Sequence, residues 1–321
     1  MLFFQVRCGY QLPFLIGTSI SLVGNTPSST NSPTWFLVGI DSNTPYNVSF
    51  PYDGTQVYAQ WYQTPMLSDG LHSINLSSIV VDLDYAIITA GQTTPLTGST
   101  ILVDDSMEEI TYTGNGWVDS QVELNFGPGW VNGPPLGNTT HQTSTIGDGF
   151  EFRFTGSNIS VYCVFKWNAT GSISIDFTLD GQTTSSSLFV PSGTTSSHTE
   201  TPQYLFFSAG DIEAGNHTLL MNVTQAVGSQ SFAFDYLTYQ PSFSTLVDKP
   251  NFNSSLSTST SSATSSSASS TATSSSTSVA STMKGNHVGA IVGGVVGGLA
   301  LILAGILFLM CRGRKQKKSK S

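Results

Sequence analysis

Two stretches of this chain carry the same residues in the same order, which restricts the fold to two copies of one module. Gly17, Ile20 and Leu22 match Gly156, Ile159 and Val161 at an offset of 139. The same offset lays Phe36, Val38, Ile40 and Asp41 on Ile175, Phe177, Leu179 and Asp180. Further along, Gly70 and His72 match Gly215 and His217, and Asp84-Tyr85 matches Asp235-Tyr236. Phe150, Phe152 and Phe154 alternate with Glu151 and Arg153, so one face of a strand is buried and the other wet. Short apolar runs, among them Trp35 to Ile40, Val57 to Tyr62, Ile101 to Asp104 and Ile173 to Leu179, are separated by Gly, Pro, Asn and Asp. That is strand and turn chemistry, and no stretch keeps a helical period over three turns. The repeated module is all-β.

Residues 1–91 and 99–241 hold the two copies. The second runs about 50 residues before its Phe152 strand, while the first has only a dozen ahead of the equivalent point, so the first is expected to lack its opening strands. The apolar run Leu12 to Val23 is broken by polar residues and already claimed as strand; a short uncleaved signal-anchor is the alternative reading of that N-terminus.

From 242 to 287 the chain becomes Ser and Thr almost without aromatic residues, and cannot bury enough apolar area to offset its ordering entropy. A disordered, O-glycosylated stalk is expected there. Residues 288–310 are apolar throughout and long enough for one transmembrane helix. The tail 311–321 carries Arg312, Arg314, Lys315, Lys317, Lys318 and Lys320, a basic flank that stays in the cytosol. This topology places the protein in the plasma membrane with its N-terminal part extracellular. Ahead of the tail only five basic residues stand against 20 acidic ones, which argues against a nucleic-acid partner. Within the span, Gly289, Gly293 and Gly297 share one helix face, which predicts a homodimer through close helix packing. Cys311, at the cytosolic membrane edge, is a candidate for lipidation. Cys8, Cys163 and Cys311 form no disulfide framework and no zinc motif. Glycosylation sequons occur at Asn47, Asn75, Asn138, Asn158, Asn168, Asn216, Asn222 and Asn253, all outside the span.

The second copy opens with Val103-Asp104-Asp105, followed by Ile110, Tyr112, Gly114 and Trp117, then His141 and Thr143. Phe154, Gly156, Ile159 and Val161, Leu179-Asp180-Gly181, Gly215 with His217, and Asp235-Tyr236 complete the pattern. In this it resembles the tandem jelly-roll membrane glycoproteins of mushroom-forming fungi. The stalk, span and tail are similar in composition to fungal wall-stress sensors. The resemblance implies two galactose-binding-domain-like jelly-roll β-sandwiches, and departs in the extra residue before Trp117 and in Ser42 at the turn where Gly181 stands.

Candidate chemistry is sparse. Asp104 and Asp105, with Glu108 and Glu109 nearby, could supply oxygens to a structural Ca²⁺, or could simply face water at a strand end. His72 and His217 each follow a turn glycine, where a ring nitrogen ties down a loop carbonyl more often than it does acid–base work. Neither a nucleophile elbow nor a zinc-protease motif nor a phosphate loop is present. Tyr112, Trp117 and Trp130 flank a Gly- and Pro-rich segment and could stack on sugar rings at a sandwich rim, although Trp117 could equally seal the core. The expectation is a non-catalytic surface glycoprotein that binds or senses wall carbohydrate or a neighbouring glycoprotein. A glycan-acting enzyme and a purely structural wall anchor are the alternatives.

Overall fold

The computed structural model describes residues 2–5, 11–28, 34–52, 55–194, 196 and 198–252. The first module comprises β1 (Leu2–Gln5), β2 (Gln11–Gly17), β3 (Ser19–Asn25), β4 (Trp35–Ile40), β5 (Tyr46–Ser49), β6 (Tyr58–Gln63), β7 (Gly70–Ser77) and β8 (Asp82–Thr89). The second comprises β9 (Ile101–Asp104), β10 (Ile110–Thr113), β11 (Val118–Ser120), β12 (Thr140–Thr143), β13 (Gly149–Lys166), β14 (Gly171–Leu179), β15 (Gln182–Val190), β16 (Glu200–Ala209), β17 (Gly215–Gly228) and β18 (Phe232–Pro241).

β13 organises its module. Its first half pairs with β10 and β17, and its second half with β16 and β18, so one strand passes from one sheet of the sandwich to the other. The first module divides that task between β2, which pairs with β7, and β3, which pairs with β6 and β8. Glycine sits at both corners for a steric reason. A Cβ on Gly156 would stand 2.3 Å from the Gln240 carbonyl oxygen, and one on Gly17 would stand 2.6 Å from that of Thr89. The repeat therefore preserves the point at which the corner strand grazes the closing strand.

The alternating phenylalanines of β13 are all buried, Phe150 meeting Phe234 of β18 across the sandwich and Phe152 and Phe154 meeting Tyr239. Phe150 and Phe234 lie 4.9 Å apart by ring centroid, and Phe177 of β14 stacks on Phe207 of β16 at 4.7 Å. Each such ring removed from water contributes about 2–3 kcal/mol before ordering costs. In the first module Phe36 and Trp61 meet edge-on at 5.5 Å.

β1 alters the expectation of missing opening strands. It pairs with β8 through Leu2↔Ile88 to Gln5↔Tyr85, the place that β9 holds against Tyr236 to Tyr239 of β18. Among the described residues, the first module shows no counterpart of β10–β12 between its opening strand and its corner strand. Leu2 also pairs with Ile101 of β9, so the inner sheets of the two modules run into one. The linker is fixed as well: Leu96 is buried and its N–H donates to the Ser244 carbonyl at 2.9 Å. Asp69 accepts from the Thr93 N–H and hydroxyl at 2.6 Å each and from the Thr94 hydroxyl at 2.7 Å.

The chain stays on the body after β18, contrary to a stalk beginning at 242. The Ser242 N–H donates to Thr155, Phe243 is buried, residues Leu246–Asp248 form a 3-10 turn, and Lys249 pairs with Glu109 at 2.6 Å. The rest of the expected stalk, the span at 288–310 with Gly289, Gly293 and Gly297, and the tail with Cys311 lie outside the described residues. Among the described residues no helix is long and apolar enough to cross a membrane.

Candidate functional site

The chemistry-bearing residues fall into three places. The first is a clamp that the repeat writes twice. Nδ1 of His72 meets Asp41 at 2.9 Å and Nε2 meets the Ser68 carbonyl at 2.8 Å; in the second copy His217 meets Asp180 at 2.6 Å and the Glu213 carbonyl at 2.7 Å. The other carboxylate oxygen accepts from the N–H of Ser73 or Thr218, at 2.9 Å in each case. Asp41 and Asp180 both adopt positive φ, near 53° and 50°, which the clamp holds in place. These histidines are structural ties, as their position after a turn glycine implies.

The second place is the opening of the second module. Asp105 is fully buried, with one oxygen taken by the Thr139 hydroxyl at 2.8 Å and the other by His141 Nδ1 at 2.7 Å. His141 lies flat on Tyr112 at 4.2 Å, and the Tyr112 hydroxyl returns to the Asp105 carbonyl at 2.7 Å. Trp117 packs edge-on against Tyr112 and Phe232, and its indole N–H is shared by the carbonyls of Thr113 and Gly149. Trp117 thus closes the end of the core, and Tyr112 belongs to the same plug.

Asp104 beside it accepts from Ser106 at 2.6 Å, while its Oδ1 and the Oδ1 of Asp235 are buried without a hydrogen-bond partner. Burial pushes the Asp104 carboxyl up to about 6, with Asp105 adding to it, and pushes Asp235 well above the usual carboxylate range. Each oxygen of Asp105 already accepts one hydrogen bond. Among the described residues no three His, Cys, Asp or Glu side chains are arranged to hold a metal ion. Glu109 is engaged with Lys249. Asp235 also borders a cavity of about 40 Å³ between the modules, walled by Tyr58, Tyr85, Leu136 and Gln203, with room for a water or two.

The third place is the loop between β11 and β12. Leu124 and Phe126 turn inward and pack with Val164 and Ala233. The loop closes on itself through Leu124 and Gly133, and is tied to β16 by the Asn125 N–H to Glu200 carboxylate bond at 2.7 Å and the Glu200 N–H to Asn125 carbonyl bond at 2.9 Å. Its tip is a glycine turn, Gly127 and Gly129 both at positive φ, in which the Trp130 N–H donates to Gly127. Trp130 is thereby held outward, 59% exposed, with its ring 5.2 Å from that of His198. The other side of the loop lies on the first module, where the Tyr58 N–H donates to the Asn132 carbonyl at 2.9 Å.

Of the three aromatic candidates only Trp130 is presented to solvent as a platform. Its neighbour His198 lies in the β15–β16 loop and was not legible in the sequence, because contact between distant loops leaves no local pattern. The sequon asparagines at 47, 75, 138, 168, 216 and 222 are exposed, Asn158 is half-buried, and Asn253 is outside the described residues. Cys163 is a buried free thiol, pushed well above its ordinary pKa by burial and therefore inert.

No protein-family model and no curated protein matches this sequence. Solved structures that are similar include a two-domain esterase (CEX) active on acetylated mannans, at 13% identity and TM-score 0.30, covering 46% of this chain and 36% of the esterase. Another is the CBM36-1 domain of a multidomain xylanase from the hindgut metagenome of Trinervitermes trinervoides, at 17% identity and TM-score 0.24, covering 43% of this chain and 94% of that domain. A Paenibacillus xanthan lyase aligns over 71% of this chain and 22% of its own, at 14% identity and TM-score 0.28. The chain thus spans little more than a third of the esterase's length. Similarities this low do not bear on function.

Proposed function

We propose that this chain is a single-pass surface glycoprotein that binds carbohydrate without catalysis, with Trp130 as its sugar-stacking platform. The observation that carries the reading is the geometry of that one residue: a large aromatic ring, more than half exposed, on a loop anchored by buried Leu124 and Phe126 and two bonds to β16. The apolar face of a pyranose gains most from an indole held rigidly, because little side-chain freedom remains to be lost. Sequons on exposed positions, the apolar stretch at 288–310 and its basic flank support surface display.

Against catalysis stands the arrangement at Asp105 and His141. It has the form of an orienting carboxylate and a base, yet among the described residues no hydroxyl or thiol is hydrogen-bonded to His141, and its ring is covered by Tyr112. The pair serves the plug.

The test is retention of the full chain, in mild detergent, on a panel of immobilised wall polysaccharides. We expect at least one to retain the wild type, and Trp130→Ala to weaken retention tenfold or more with its thermal midpoint unchanged. Equal retention of the variant removes Trp130 from the site, and soluble sugar released by the wild type favours the enzyme reading instead.

A further inference from the structure

We infer that the free edge of β15 is a docking strand for a second copy of this chain, paired antiparallel about a two-fold axis at Ser186. Among the described residues β15 ends its sheet, hydrogen-bonded to β14 on one side. The two-residue turn at Asp180 and Gly181, both at positive φ, makes Leu179 and Gln182 a hydrogen-bonded pair. Even-numbered residues of β15 therefore bond inward to β14. The N–H and C=O groups of Thr183, Ser185, Ser187 and Phe189 point out along the edge.

Proteins blunt such edges, and among the described residues the other edge strands are blunted, β11 by having only three residues. β2 contains Pro13 and β16 contains Pro202, with Gln203 at positive φ. β5 and β10 are four residues long, β5 lies between Pro45 and Pro51 and bears the Asn47 sequon, and β6 is broken in register and tied at its start to Asn132. β15 has none of these devices. It is nine residues long, has no proline, no charge, no register shift and no sequon, and its Phe189 is 70% exposed. An edge of this kind is a template for another strand.

A second copy is the occupant that the sequence of the strand fits. A two-fold at Ser186 puts Ser185 opposite Ser187 and Thr183 opposite Phe189 of the other copy, which gives about eight backbone hydrogen bonds. With no charged side chain on the strand, self-pairing brings no like charges together. Each exposed Phe189 finds a β-branched neighbour directly across the strand, a favourable cross-strand pair. The dimer would join two Trp130 platforms, and bivalent attachment to a polymer raises apparent affinity without new contacts.

Sedimentation velocity of the full chain in mild detergent tests this, with Gly293→Ile present throughout so that the expected span cannot carry the association. Ser187→Lys puts a charge on the two-fold interface, and Ser185→Pro removes an outward N–H that the folded chain does not use. The expected result is a dimer with the edge intact and at least a tenfold weaker one in each variant, with unchanged thermal midpoints. Should one variant misfold, the other decides. A monomer with the edge intact, or a dimer indifferent to the substitution, overturns the proposal. Amide exchange gives an independent reading: Ser185 and Ser187 should exchange at least tenfold more slowly in the dimer. Protection that arises only on adding a foreign extended peptide overturns self-pairing as well.

Discussion

At the residue scale, His72 and His217 use both ring nitrogens toward oxygen atoms that can only accept. A doubly protonated ring satisfies both contacts, so the clamp favours the charged form. For His72 the Asp41 carboxylate, then the Ser68 carbonyl, hold the pKa above its ordinary value. For His217 burial opposes the charge, but Asp180 and the carbonyls of Glu213 and Gly156 outweigh it. Asp41 is lowered by the His72 hydrogen bond, and Asp180 by His217 and Thr218 against the effect of burial. A raised imidazole stabilises the fold fully below its unfolded pKa, and that share fades as pH rises through the folded value. A lowered carboxylate stabilises above its unfolded pKa and fades in acid, so the clamps are strongest at mildly acidic pH. His217→Gln should cost about 1–2 kcal/mol at pH 5.5 and clearly less at pH 9, read from urea unfolding. A gap of equal size at both pH values would mean that the ring is not charged. These clamps were legible in the sequence because Asp180 and His217 recur as Asp41 and His72. The role of Trp117 was not, since a rim tryptophan and a core plug share the same neighbours in sequence.

At the scale of elements, the corner made by β13 sets the sandwich. Gly156→Ala would drive a methyl group into the Gln240 carbonyl and force β13 and β18 apart. We expect a loss of about 1–3 kcal/mol, seen as a lowered midpoint in thermal unfolding; an unchanged midpoint would show that the strands can part without cost. Strands with alternating burial, such as β14 and the first half of β13, could be read from the sequence because each repeats a period of two over an apolar face. β15 could not. Its Thr184 is exposed and its Ser186 only partly buried, so the strand that ends the sheet reads as a polar loop. β10, β11 and β12 have three or four residues each, too few to show a period.

At the scale of the whole molecule, the two modules are bound by more than their linker. Gly133 lies so close to the first module that a Cβ there would be 1.7 Å from the Tyr58 carbonyl oxygen. The Tyr58 hydroxyl donates to Asp84 at 2.7 Å, its ring meets Phe126 at 6.0 Å, and Leu136 packs with Val23, Tyr85 and Ile87. The loop that presents Trp130 is thus also the strap between modules. Gly133→Val should lift it, so that one calorimetric transition becomes two, the first module melting earlier. A single transition at the wild-type midpoint would assign the coupling to β1 and β9 alone. No local pattern signals this contact, which joins residues some 75 positions apart. The segment after β18 has a mechanical consequence. Ser244 accepts from Leu96, Val247 donates to Gln92, and Lys249 holds Glu109, so the chain is laced to the linker before it reaches Phe252. Tension applied beyond Phe252 therefore loads these ties first and reaches the seam between the modules, while β18, flanked by β9, β12 and β13, is spared until they give way.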